Sequence, residues 1–194
     1  FIRRKTLFIF APITQDPETI NTGKNSTLFL VGDVYGPGMP VNHSQSELTN
    51  LISQAAKSDK VILENEGLNS IYPAYIKDVI FALNRVVFSK DDEEKVHYLV
   101  SDPAQTALTC AYEIQSALAQ VAGIDIGLFF SGPPAHHGPS GPPRIDINAN
   151  DLGFTPKFHL REGLKETFQY LQENSQIETS TPKHYLTSTH TPIS

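Results

Sequence analysis

Short apolar runs alternate with longer segments whose apolar residues recur every three or four positions, the arrangement expected of strands separated by helices. Residues 7–10, 27–31, 61–64, 96–100 and 124–130 are rich in Val, Ile, Leu and Phe and read as strands. After the second strand, Leu48, Leu51, Ile52 and Ala55 fall on one helical face, and Ser44-Gln45-Ser46-Glu47 ahead of them has capping-box spacing. Residues 74–88 repeat the pattern through Val79, Ile80, Leu83, Val86 and Val87, with Asp78 placed where a carboxylate favours the helix dipole. A third helix is predicted to start at Asp102-Pro103-Ala104-Gln105, with Asp as N-cap and Pro at the first helical position. It buries Ala107, Leu108, Ala111, Ile114 and Leu118 and stops at Gly123. Alternation of this kind predicts an α/β domain with mostly parallel strands.

The pattern fails in two places. Residues 131–143 carry five prolines and three glycines, which exclude regular structure and predict a flexible loop. Residues 175–194 are rich in Ser and Thr and poor in large apolar side chains, and read as a flexible tail behind a domain of residues 1–174. The chain opens with Phe1 and enters the first apolar run almost at once, as if cut from a larger protein.

Charge narrows the partners. The 21 acidic residues outnumber the 15 basic ones and no Lys/Arg run could follow a phosphate backbone, so a nucleic-acid partner is not expected. No apolar run has the length of a membrane span. Cys110, the only cysteine, lies among apolar residues and reads as a buried thiol of a reduced, cytoplasmic protein. His136-His137 lacks a third ligand at useful spacing, so no metal is expected.

Gly32-Asp33-Val34-Tyr35-Gly36-Pro37-Gly38 follows a strand with glycines at dinucleotide-loop spacing, and Glu64 ends the next predicted strand where a ribose-binding acid would stand. A dinucleotide loop must open directly into a helix N-terminus, however, and Pro37 and Pro40 delay the helix to about Ser44. The same segment resembles the Asn-Val-Tyr-Gly-Pro-Gly motif of extended short-chain dehydrogenases, the family of NAD-dependent nucleotide-sugar epimerases and dehydratases. Three further segments are similar to family motifs in the same order: Tyr75-Ile76-Lys77-Asp78-Val79 at a helix start, Arg144-Ile145-Asp146-Ile147, and Asp151-Leu152-Gly153-Phe154-Thr155-Pro156-Lys157 with Leu160-Arg161-Glu162-Gly163-Leu164. The likeness spans roughly residues 27–173 and points to the C-terminal half of such a protein.

The resemblance implies a partial Rossmann-type, mostly parallel sheet with a small C-terminal substrate-binding lobe, a nucleotide sugar as partner and a homodimer as a compatible assembly. By it, Asp33, Tyr35, Tyr75 and Arg144 are the expected substrate-binding residues. Two positions depart from the family. Asp33 stands where the family has an amide that donates a hydrogen bond, and Ile71 stands where it has an arginine for the pyrophosphate, leaving Arg144 as the candidate anion partner. The family's proton-transferring Tyr is followed four residues later by a Lys, and no Tyr here has that Lys, so no catalytic residue is expected in this chain. NAD(P) is implied for the full-length protein and not for this chain alone. The alternative is a non-catalytic binding or assembly module on the same scaffold.

Overall fold

β2 (Ser26–Val31) is the strand around which the fold is laid out. It pairs in parallel with β1 (Leu7–Pro12) on one side and β7 (Lys95–Leu99) on the other. Leu28, Phe29 and Leu30 are all buried although they alternate between the two faces, the signature of a central strand covered on both sides. The computed structural model describes residues 7–21, 26–43, 46–88, 95–101, 103–132 and 157–178. Most of the Pro/Gly segment, Arg144 and the tail beyond residue 178 lie outside the described residues.

One face of this sheet packs Phe29 and Leu99 against Val79 and Ala82 of α2 (Ile76–Val87). The other face packs Leu28 and Leu30 with Ile13, Tyr72 and Val100. The connection from β1 to β2 has the length a parallel crossover needs, but its described part holds only a single 3-10 turn, Pro17–Thr19, capped by the Asp16 carboxylate accepting from the Glu18 amide.

A larger core lies beyond the sheet. α1 (Glu47–Lys57), α3 (Ala107–Ala122) and α4 (Leu160–Glu173) enclose Leu48, Ile52, Ile114, Leu118, Leu164 and Phe168. Against them lies a parallel pair, β4 (Lys60–Leu63) with β9 (Gly127–Phe130). Two short pairs join the halves: β3 (Asp33–Tyr35) runs parallel to β6 (Pro73–Tyr75), and β5 (Ser70–Ile71) runs antiparallel to β8 (Gln105–Thr106). The architecture is α/β with mostly parallel strands, as the periodicity predicts.

Local starts differ from expectation. The cap of α1 is Ser46, not Ser44: its hydroxyl accepts from the Thr49 amide while the Thr49 hydroxyl accepts from the Ser46 amide. α3 starts after Thr106 rather than at Asp102, because Gln105 and Thr106 pair with β5 and the Thr106 hydroxyl then caps Thr109. α2 starts after Tyr75, since Pro73–Tyr75 is taken into the pairing with β3. Gly123 ends α3 in the left-handed conformation expected of it, and Cys110 is buried.

Candidate functional site

The chain leaves the central sheet at Gly32. Its amide donates to the Leu99 carbonyl at 3.1 Å, and a side chain there would collide with the Tyr72 carbonyl oxygen. Asp33 then grips the same residue twice: its amide donates to the Tyr72 carbonyl at 2.7 Å, and its Oδ2 accepts from the Tyr72 amide at 3.0 Å. This exchange turns the chain out of the sheet and starts β3.

The turn leaves a cleft of about 450 Å³ at the carboxyl ends of β1 and β2, the place where open parallel sheets bind ligands. Phe10, Ala11, Val31 and Val34 supply apolar wall. Thr14, Asp33, His43, Ser46, Thr49 and Ser70 supply polar groups, and Tyr72 closes one side. Beside the cleft, Glu47 opens α1 and accepts from the Asn69 amide at 3.0 Å. Burial, and then the charges of Asp33 and Glu64, hold its carboxyl above the usual carboxylate range against that hydrogen bond.

Of the four residues expected to bind substrate, Asp33 alone lines this cleft among the described residues, and Arg144 lies outside them. Tyr35 and Tyr75 are 1% and 0% exposed, with ring centroids 5.5 Å apart. The Tyr35 hydroxyl donates to the Leu160 carbonyl at 3.4 Å, and the Tyr75 hydroxyl donates to the Glu166 carboxylate, which also pairs with Lys77. Burial and the adjacent Glu166 carboxylate raise the Tyr75 pKa well above the ordinary tyrosine value. Lys77 lies near the Tyr75 ring, yet the hydroxyl faces a carboxylate, the reverse of what a proton-abstracting tyrosine needs.

These contacts draw the sequence motifs together. Gly163 of α4 faces both tyrosine rings, and Asp78 accepts from the Lys157 and Phe158 amides at 3.2 and 3.4 Å, tying the start of α2 to the segment before α4. Ile71 is fully buried in the main core, so its side chain serves packing.

The glycine segment does not have the shape of a dinucleotide cradle. Gly32 is filled against Tyr72, Gly36 (φ 142°) lies against Ile76, and the chain continues as strand and turn rather than helix. Glu64 precedes a 3-10 turn and is exposed. Among the described residues no group of three His, Cys, Asp or Glu could hold a metal ion, and no helix is long and apolar enough to cross a membrane.

Compared by sequence, the chain matches no family model and no curated protein. Compared by structure, it is similar to UDP-glucose 4-epimerase of Thermotoga maritima solved with UDP-glucose, at 21% identity, with 77% of this chain and 47% of that one covered and a TM-score of 0.59. It is likewise similar to UDP-glucuronic acid 4-epimerase of Bacillus cereus in complex with UDP-glucuronic acid and NAD (20% identity, 77% and 46% covered, TM-score 0.58). A third is dTDP-glucose 4,6-dehydratase of Bacillus anthracis in complex with NAD (19% identity, 78% and 46% covered, TM-score 0.55). The chain shares its fold with these epimerase and dehydratase structures. The chain spans about half the length of the solved structures it matches. On this fold, Asp33 and the cleft sit directly after the central strand, and the buried Tyr35–Tyr75–Gly163 contact joins the β3–β6 pair to α4.

Proposed function

We propose that this chain is the substrate-side portion of an NAD(P)-dependent, nucleotide-sugar epimerase- or dehydratase-like protein, and that it does not catalyse a reaction alone. The observation that carries the reading is the cleft at the carboxyl ends of β1 and β2, walled by Asp33 in the segment that resembles the family's substrate motif. Its volume suits a sugar ring with part of a nucleotide. Solved structures of similar fold contain UDP-glucose and UDP-glucuronic acid.

In this reading the described residues bind and orient. Asp33, fixed through Tyr72, accepts a hydrogen bond from the ligand, and Thr14 and Ser70 offer hydroxyls around it. Tyr35 and Tyr75 hold α4 against β3 and β6 instead of touching the ligand. Arg144, by its motif, is the partner for the diphosphate. A bound nicotinamide cofactor would supply the transient oxidation, and the described glycines do not fit its pyrophosphate, so cofactor and proton-transferring pair are assigned to protein other than these residues.

A binding or assembly role without catalysis is the second reading, favoured by the carboxylate at Asp33 and the buried Ile71. Calorimetric titration tests the main one. Saturable binding of UDP-glucose with no turnover supports it; absence of any sugar-nucleotide binding contradicts it.

A further inference from the structure

We propose that the cleft beside Asp33 selects a ligand group that donates hydrogen bonds and carries no negative charge, taking an amine-bearing sugar in preference to its hydroxyl counterpart. This rests on the cleft being the sugar site.

The carboxylate is held in place. The Asp33 amide and Oδ2 are both committed to Tyr72, so the side chain cannot swing away without breaking the turn that begins β3. Its second oxygen, Oδ1, has no hydrogen-bond partner among the described residues, and the residue lines the cleft. An acceptor fixed in this way favours donors over acceptors, and a charged donor most of all.

The rest of the wall adds nothing that would receive an anion. No Lys or Arg lines the cleft among the described residues, and His43 is the only basic side chain there. The N-terminus of α1, ordinarily an attractive place for a phosphate, is already used: Ser46 and Thr49 cap each other, and Glu47 puts the chain's own carboxylate in the first turn. Glu47 is itself held above the usual carboxylate range by burial and by its acidic neighbours, so a further negative charge would meet a field already unfavourable to the one present. A diphosphate must therefore lie away from this wall, while the sugar enters it.

The experiment is calorimetric titration of the whole chain, at neutral pH, with UDP-glucosamine and with UDP-glucose, repeated on Asp33→Asn. An ammonium on a fixed carboxylate is stronger than a hydroxyl in the same place, so wild type should bind UDP-glucosamine about tenfold more tightly than UDP-glucose. Asp33→Asn keeps an oxygen for the Tyr72 amide and removes the charge, so the preference for UDP-glucosamine should disappear. Equal affinity of wild type for the two ligands, or an undiminished preference in Asp33→Asn, overturns the inference and leaves the sugar-site reading intact. Failure of both ligands to bind wild type overturns that reading and the inference with it. Should Asp33→Asn fail to fold, the wild-type comparison decides by itself.

Discussion

Gly163 on α4 sits so close to Tyr35 that a methyl group on it would overlap the tyrosine hydroxyl, with Tyr35 Cζ 3.0 Å and Tyr75 Cδ2 2.9 Å from the same point. Two tyrosines that resemblance would send to a substrate are in this chain the seat of a helix. The glycine is there because two aromatic rings occupy the space of a side chain.

Gly163→Ala is therefore expected to destabilise the protein. Helix propensity alone would make alanine better by about 1 kcal/mol in a helix interior. Overpacking against two buried rings costs about 1–3 kcal/mol and should win. Urea unfolding is expected to give a net loss of up to about 2 kcal/mol, and a gain in stability would show that α4 is free to move away from Tyr35.

Asp78 carries the second tie between motifs. It is 3% exposed and accepts from two main-chain amides just ahead of α4. Asp78→Ala leaves those donors without their acceptor, at a cost of about 2–3 kcal/mol. Hydrogen exchange should show the Lys157 and Phe158 amides exchanging faster in the variant; unchanged protection there would contradict the tie.

Much of this was readable in the sequence, and the parts that were not share a cause. The strands at β1, β2, β4, β7 and β9 and the apolar faces of α1 and α3 follow from periodicity, because burial on a sheet or helix face repeats along the chain. β3, β5, β6 and β8 are two or three residues long, too short to show a period, and they exist only because distant segments pair. Those pairings moved the start of α3 from Asp102 to Thr106 and that of α2 past Ala74. At the site, the motif segment led to Asp33, but no local signal connects Asp33 with Tyr72, or Tyr75 with Glu166, 91 residues away.

The Tyr75–Glu166 contact sets a pH dependence. The Tyr75 pKa is raised on folding, so its contribution is complete below the ordinary tyrosine value of about 10 and is lost as pH rises through the higher folded value. The Glu166 carboxyl is depressed by Lys77 and Tyr75 despite its partial burial, so its contribution is present above the ordinary carboxylate value and is lost as pH falls. Tyr75→Phe should lower stability by about 1 kcal/mol near neutrality and remove its share of the alkaline loss. Chemical unfolding across pH checks both, and an alkaline limb identical in wild type and Tyr75→Phe would contradict the assignment.

The chain alone should not hold NADH tightly. Gly32 and Gly36 are packed against Tyr72 and Ile76, and α1 does not open directly after them but only at Glu47. Fluorescence titration should show no saturable binding in the micromolar range; micromolar binding would mean that a dinucleotide site exists which these glycines do not form.

A sugar nucleotide entering the cleft at the ends of β1 and β2 would perturb the residues that line it. Titrating the ¹⁵N-labelled chain with UDP-glucose while following amide chemical shifts reads this residue by residue. Saturable shifts should gather on Thr14, Asp33, Val34, Thr49 and Ser70, which line the cleft, and leave Ile62 and Phe129 on the exposed face of the β4–β9 pair unmoved. No saturable shift, or shifts centred on Ile62 and Phe129 with the cleft silent, would contradict it.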